Sequence, residues 1–335
     1  MDIQILNMNK PVFSIVVATK DRPAMIKRFL NNLKLSKITE RNDTQVIIVD
    51  NNSNPIQADA TQKICSEYEV MYLFESKKGQ SYAINTGIKN ATGRYIVFTD
   101  DDIEVKDPEW LDKMQSHFKT YPALGYVSGN VKANNLKTDA QKNWEKKGGL
   151  SKGDEPIYFS RGFLSKFKFK PWPLAKICAG ANSMVLKNVI DEVGGYSLIF
   201  NYGSRIIGHG GSLELGYRII KAGYELYYDP NAVVFHNHPE DKKDIKRKLF
   251  YYAVGDTAIN MYFFIKYRDF RSLFRAFGGH QAHVLKNIIR RIKGQYPLPI
   301  NYLFYSLIGS GIGATVFIWK YFTKKLWKIT DAHIQ

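Results

Sequence analysis

The sequence predicts an α/β protein: a mixed sheet flanked by helices, followed by a basic, aromatic and helical C-terminal extension. Three observations predict it. Short apolar runs rich in β-branched residues recur early in the chain, and each ends in polar or acidic residues. Amphipathic stretches of helical length separate them. Past residue 240 the composition changes to interleaved basic and aromatic residues.

The first run, VFSIVVAT (12–19), stops at the polar turn Lys20-Asp21-Arg22-Pro23, and a helical pattern follows from Met25 to Leu35. The second, QVIIVD (45–50), ends in Asp50, and the third, GRYIVFT (93–99), runs into Asp100-Asp101-Asp102. Continuous apolar runs of this length read as buried parallel strands with helices crossing between them. Open α/β sheets bind ligands beyond the carboxyl ends of their strands. Thr19 and Asp21, Asp50 and Asn52, and Asp100 to Asp102 all fall there. Between the second and third runs, SKKGQSYAINTGIKNATG (76–93) places Gly79 before a helix with Ala83, Ile84, Gly87 and Ile88 on one side. Small residues on that side suit close approach to a sheet or a ligand.

Residues 130–176 are polar, basic and poor in aliphatics, and read as a basic insertion or mobile loop. ICAGANSMVLKNVIDEVGGY (177–196) returns to a strand-then-helix pattern ending at Gly194-Gly195. A Gly-rich turn then leads into the helix LELGYRIIKAG, and the strand YELYYDPNAVVFH closes on His236. The expected organisation is a catalytic domain over 1–240 and a helical, membrane-associating region over 241–335. In the latter, residues 300–319 form a run of about 20 without charge, followed by Lys320, Lys324, Lys325 and Lys328. That length is marginal for a membrane span. Its glycines and polar residues favour insertion at a membrane surface over a span, and packing as a helical appendix is the alternative.

Charge follows the same division. Of the formal +17, residues 241–335 supply 17 Lys/Arg against 5 Asp/Glu, and residues 129–176 supply 11 against 4. The rest of the chain is close to neutral. Concentrated basic regions suit a polyanion or an anionic membrane surface. A nucleic-acid partner is not expected, because no recognised binding motif is present. Two cysteines, Cys65 and Cys178, are too far apart for a paired metal or disulfide pattern and fit a reducing compartment. The first residues, MDIQILNMNKPVF, lack the basic and apolar regions of a cleaved signal.

The aspartate triplet carries the chemistry. Three adjacent carboxylates at a strand end repel one another, and a divalent cation bridging to phosphate resolves that cost. Mg²⁺ or Mn²⁺ held by one or two carboxylates would act as a Lewis acid on a leaving diphosphate.

The segments SIVVATKDRP, VIIVDNNS, KKGQSYAINTGIKNATGRYIVFTDDDIEVKDPEWL, AGANSMVLKNVIDEVGGY and GGSLELGYRIIKAGYELYYDPNAVVFH, in this order over roughly 10–240, resemble the family 2 glycosyltransferases of GT-A fold. The resemblance implies a Rossmann-like GT-A sheet and metal-assisted, inverting transfer of a hexose-type sugar from a nucleoside-diphosphate-sugar. A UDP-sugar is favoured as donor, with a GDP-sugar as the alternative. The implied acceptor is a glycan or lipid-linked acceptor of cell-surface polysaccharide synthesis, met at the cytoplasmic face of the membrane by a peripheral or shallowly inserted protein. It also implies residue roles. Thr19, Asp21, Arg22, Asp50, Asn52, Lys78, Gly79, Asp100 and Asp101 would meet the donor nucleotide. Asp102 and His236 would hold the metal. Gly180, Ala181, Asn182 and Ser212 would line the sugar and acceptor side. Asp100 and Glu214 would serve catalysis.

One departure stands out. The family's Glu-Asp pair, which usually supplies the general base that inverting transfer needs, reads Gly211-Ser212 here. Glu214, two positions on, matches a second acidic position and would take the role. A carboxylate in the first turn of a helix is also favoured by the helix dipole alone. A non-catalytic sugar-nucleotide or glycan-binding protein on the same scaffold is the alternative.

Overall fold

A computed structural model describes residues 11–147, 149–201, 209–238, 241–295 and 300–323. Its first half alternates strand and helix: β1 (Phe13–Thr19), α1 (Pro23–Leu35), β2 (Thr44–Asn51), α2 (Pro55–Glu67), β3 (Met71–Glu75), α3 (Gln80–Asn90), β4 (Tyr95–Asp100), β5 (Ile103–Val105) and α4 (Trp110–Thr120). Then come β6 (Leu124–Ala133), α5 (Asp139–Lys147), β7 (Ile157–Phe159), α6 (Arg161–Ser165), β8 (Asn182–Leu186), α7 (Lys187–Val193), α8 (Gly211–Lys221) and β9 (Glu225–His236). The chain continues through α9 (Lys242–Tyr267), α10 (Arg271–Phe274), α11 (His280–Ile292) and α12 (Asn301–Phe322).

The described strands form one nine-stranded mixed sheet in the order β3-β2-β1-β4-β8-β6-β9-β5, with β7 also paired to β9. The three runs read as parallel neighbours are so: β1 pairs in parallel with β2 and with β4. β8 enters antiparallel between β4 and β6. Nearly every residue of β1 and β4 is buried, as strands covered on both faces require. Helix α1 begins with Pro23 in its first turn, where the missing N–H costs nothing. It turns Ile26, Phe29, Leu30 and Leu33 toward the sheet at helical spacing. Helix α3 buries Ala83, Ile84, Gly87 and Ile88.

One expectation changes. Residues 130–176 are not a loop: they contain the end of β6, α5, β7 and α6, and β7 is paired with β9. Their apolar residues are few but well placed, since Trp144, Phe159, Leu164 and Leu174 are buried. The C-terminal region, expected to associate with a membrane or to pack as a helical appendix, packs on the sheet where it is described. Ala258, Ile259, Met261, Tyr262 and Phe263 of α9 and Phe317 of α12 belong to the same buried cluster as Val16, Phe98 and Leu215 of the sheet and α8. Phe263 stacks on Tyr217 of α8 with ring centroids 3.9 Å apart. Side chains buried this fully are each worth about 1.5–3 kcal/mol, so α9 is part of the core. Helix α12 lies against α9 along Gly309, Ser310 and Gly313. A Cβ on either glycine would fall 2.5 Å from an α9 carbonyl, Phe250 or Val254. Lys324, Lys325 and Lys328 lie outside the described residues.

Candidate active site

The ends of β1, β2 and β4 bring most of the expected donor-side residues together. Thr19 Oγ1, buried at the end of β1, donates to Asp101 Oδ2 at 2.7 Å. Arg22, half-exposed before α1, sets Nη1 2.9 Å from Asp101 Oδ1 and 3.9 Å from Asp102 Oδ2. Asp21 adopts φ +52° and knots the first loop to the second. Its N–H donates to Ser53 Oγ at 2.6 Å, and its Oδ1 accepts from the Asn54 N–H at 2.8 Å. Asp50 is fully buried, accepting from the Ser53 N–H at 3.0 Å and, more loosely, from the Tyr72 hydroxyl at 3.4 Å. Asn52, at φ +59°, donates through Nδ2 to the Ser76 carbonyl at 2.8 Å, joining the loop after β2 to the loop after β3.

Gly79 sits at φ +134° ahead of α3, and its N–H donates to Asn51 Oδ1 at 2.7 Å. Asn201 closes the same turn: its Oδ1 accepts from the Ser81 N–H at 2.9 Å, and its Nδ2 donates to the Lys78 carbonyl at 3.4 Å. Lys78 itself is exposed.

The triplet splits in environment. Asp101 is tied by Thr19 and Arg22; burial pushes its pKa up and these two partners oppose it. Asp100 lies 3.4 Å from Gln80 Nε2 and is pushed up to about 7, by burial first and then by Asp102 and Asp101. Asp102 is raised by burial, and Arg22 and Lys248 oppose this. Its Oδ1 is buried without a hydrogen-bond partner, 3.4 Å from His236 Nε2. Burial, with Lys248, His238 and Arg22 nearby, lowers His236 to about 3, so the imidazole is neutral. An orphaned carboxylate oxygen facing a neutral imidazole fits a divalent cation, which takes its remaining ligands from phosphate and water. No group of three or more His, Cys, Asp or Glu side chains forms a complete metal cage among the described residues.

On the acceptor side the structure joins some residues and separates others. A Cβ on Gly180 would lie 4.0 Å from Ser212 Oγ, so these two are neighbours. Ala181 offers its carbonyl to Thr99 Oγ1 at 3.0 Å. Asn182 does not line the site. Its side chain is fully buried, accepting from Trp110 Nε1 at 2.9 Å and donating to the carbonyls of Asn130 and Ala232. It ties β8 to β6 and β9. Glu214 is also buried, and Arg218 one turn on donates to it from Nε and Nη2 at 2.7–2.9 Å. Arg218 also holds the carbonyls of Val193, Gly194 and Gly195. Glu214 is thus clamped between α7 and α8.

Four participants were missed. Asn51 and Asn201 shape the Gly79 turn. Tyr196 packs beside Gly211, and burial and the Asp100 charge raise its pKa. Lys248 of α9 places its charge within reach of Asp100, Asp102 and His236. The basic run KKDIKRK containing Lys248 is visible in sequence, but nothing in it marks one lysine as facing the aspartates.

Loops beyond the strand ends of an α/β sheet thus gather an aspartate triplet with a neutral histidine beside it. The chain belongs to glycosyl transferase family 2, whose profile matches residues 14–194. It is similar to the pre-mycofactocin glycosyltransferase of Mycobacterium tuberculosis, 24% identical over 247 residues, which is 71% of this chain and 45% of that protein. It is also similar to the GalNAc(5)-diNAcBac-PP-undecaprenol beta-1,3-glucosyltransferase of Campylobacter jejuni, 26% identical over 166 residues, 47% of this chain and 52% of that one. The chain spans about half the length of these curated relatives. Among solved structures, the mannosyltransferase PcManGT from Pyrobaculum calidifontis, in complex with GDP-Man and Mn²⁺, shares the fold with TM-score 0.57 at 16% identity. That match covers 95% of this chain and 88% of that one.

Proposed function

We propose that the protein transfers a sugar from a nucleoside-diphosphate-sugar to a glycan or lipid-linked acceptor, with inversion and with a divalent cation at Asp102 and His236. The observation that carries the proposal is the buried, unpartnered Oδ1 of Asp102 set 3.4 Å from a neutral His236. When bound there, Mn²⁺ or Mg²⁺ would neutralise the charge that develops on the leaving diphosphate. Arg22 and Lys248 add cationic charge on the same side. The loops holding Asp21, Asp50 and Asn52 would shape the nucleoside pocket. The solved relative's GDP-Man and Mn²⁺ and the undecaprenol-linked substrate in the C. jejuni protein's name support this donor and acceptor chemistry.

The C-terminal helices would hold the enzyme at the cytoplasmic face of the membrane. Leu303–Phe322 is long and apolar enough to cross a membrane by length and composition. Phe304, Ile308, Trp319 and Phe322 of α12 and Leu285, Ile289 and Ile292 of α11 are exposed, with Arg290, Arg291 and Lys293 close by in sequence. Aromatic and basic residues at an apolar face suit an anionic interface.

The test is calorimetric titration with UDP, GDP and their sugar conjugates, with and without Mn²⁺. Metal-dependent binding that is lost in Asp102→Ala is the expected result. No binding to any nucleotide would overturn the reading.

One observation favours a second reading. The positions of the family's Glu-Asp pair hold Gly211 and Ser212 here, and Glu214 is held by Arg218. A sugar-nucleotide-binding protein without turnover would look like this. Donor binding without transfer to any acceptor, together with transfer gained in Ser212→Asp, would select it.

A further inference from the structure

Away from the transfer site, the loop that follows α6 reads Lys166-Phe167-Lys168-Phe169-Lys170-Pro171-Trp172. It lies in a stretch, 156–190, that contains no Asp or Glu. Lys166, Lys168 and Lys170 are exposed, and Phe169 between them is 87% exposed, more than any other large apolar residue among those described. The loop is pinned on both sides of that phenylalanine. The Phe167 ring lies 5.1 Å from Phe163, and the Phe167 carbonyl accepts from Arg271 Nη1 at 2.7 Å. The Trp172 ring is covered by the Arg271 guanidinium at 4.6 Å and lies 5.1 Å from Tyr217. Phe169 is thus held out in water, where its apolar surface is unfavourable.

Arg271 seats this loop beside α10. Phe270 and Phe274, one turn apart, are 65% and 74% exposed. Phe277 follows at 53% in the turn Arg275–Gly279, which runs directly into α11. Arg268, just before Asp269, is also exposed. Exposed phenylalanines and cations therefore meet where the catalytic body joins the C-terminal helices. Grouped apolar exposure of this kind marks an interaction surface. A second copy of the chain in a two-fold contact would bring the same positive charges face to face. A bilayer with anionic headgroups offers the opposite charge at its surface and hydrocarbon beneath it.

We propose that the Lys166–Lys170 loop and α10 form a second membrane contact, with Phe169, Phe270 and Phe274 in the interface and the lysines on anionic headgroups. The proposal rests on the membrane reading above and adds a contact made by the catalytic body itself. It also orients the site. From Trp172 the chain runs through Leu174–Lys176 to Gly180, the neighbour of Ser212. Tyr217, packed on Trp172, is five residues or about 7.5 Å along α8 from Ser212. A bilayer held by this loop lies on the acceptor side, where a lipid-linked acceptor would be met.

The test uses the full chain carrying Phe169→Cys, labelled there with the polarity-sensitive fluorophore NBD; Cys65 and Cys178 are buried and stay unlabelled. The vesicles are phosphatidylcholine alone, or phosphatidylcholine and phosphatidylglycerol at about two to one. With the anionic vesicles the emission should rise and shift to the blue. The triple variant Lys166→Gln, Lys168→Gln, Lys170→Gln should partition onto them at least about tenfold more weakly, since a lysine near an anionic surface is worth about fivefold. Its thermal unfolding should stay unchanged. A silent label on protein that sediments with the vesicles, or undiminished partitioning of the triple variant, would overturn the proposal and leave the C-terminal anchor standing. An equal shift from soluble polyphosphate would assign the loop to a free polyanion. A shift that grows with protein concentration in the absence of vesicles would assign it to a second copy; either result overturns the membrane contact. Protein that sediments with neither kind of vesicle removes the membrane reading as a whole, and this contact with it.

Discussion

Arg218 grips Glu214 through both Nε and Nη2 at 2.7–2.9 Å, one turn along α8 and almost wholly out of solvent. The same guanidinium holds three successive carbonyls at the end of α7. A carboxylate so engaged is a structural anchor first. Removing one partner of a buried ion pair costs about 3–5 kcal/mol, because the other is left uncompensated. Glu214→Ala should therefore lower unfolding stability by about 3 kcal/mol, read from urea melts. Full stability with abolished transfer would instead make Glu214 the general base.

Lys248 acts electrostatically on Asp100 and Asp102 from a helix that belongs, in sequence, to the basic tail. Its charge has opposite effects on the two partners of this site. It repels a divalent cation at Asp102 and attracts a diphosphate. A unit charge pair near a protein surface is worth on the order of 1 kcal/mol, or roughly fivefold in an equilibrium constant, and a doubly charged partner feels about twice that. Lys248→Met should tighten Mn²⁺ binding at least about fivefold in the absence of nucleotide and weaken UDP or GDP binding in metal-free buffer by at least a similar factor. The two shifts can be read in separate titrations. Movement of both in the same direction would show that Lys248 does not face the site.

Much of the donor side was legible because its residues sit where strands end. Apolar runs locate β1, β2 and β4, and parallel pairing then places Thr19, Asp50 and Asp100 side by side whatever the loops do. The acceptor side was less legible. Asn182 starts a strand after a small-residue turn, and only the tertiary fold shows that its amide turns inward to Trp110. Residues 130–176 looked like a loop because their few aliphatics are spread thinly, yet Trp144 and Phe159 are enough to seat α5 and β7. The tail read as an appendage because its charge dominates its composition. Phe263 against Tyr217 is a contact between residues far apart in sequence, with no local periodic signal.

Gly79 is fixed by space as well as by torsion. At φ +134°, a Cβ would fall 1.8 Å from Asn201 Nδ2, and that amide is itself bound to Ser81 and Lys78. Backbone in this region costs a non-glycine residue about 1–3 kcal/mol, and the clash must also displace Asn201. Gly79→Ala should lose about 3 kcal/mol of stability or more and weaken nucleotide binding, because the turn before α3 would open. The double variant Gly79→Ala with Asn201→Ala should recover part of the stability, leaving the torsional cost. No recovery would mean that torsion alone fixes the glycine.

A charged joint fastens the C-terminal helices. Asp269, just after α9, accepts from the Tyr217 hydroxyl of α8 at 3.0 Å and from Arg271 Nε and Nη2 at 2.6 Å each. Arg271 in turn donates to the Phe167 carbonyl at 2.7 Å and lies over the Trp172 ring. Burial alone would raise the Asp269 pKa, but Arg271 and Tyr217 outweigh it and hold it below the ordinary 3.8. A depressed folded-state pKa contributes stability that is fully present above the unfolded value and is lost as pH falls through the folded one. Asp269→Asn should therefore cost about 2 kcal/mol at neutral pH, the worth of hydrogen bonds to a charged group. The gap to the unmodified protein should hold down to about pH 5 and close under more acidic conditions. Chemical denaturation at a series of pH values measures it. A gap that stays constant into strong acid would mean that Asp269 fastens the joint by shape and hydrogen bonding, with its charge contributing nothing.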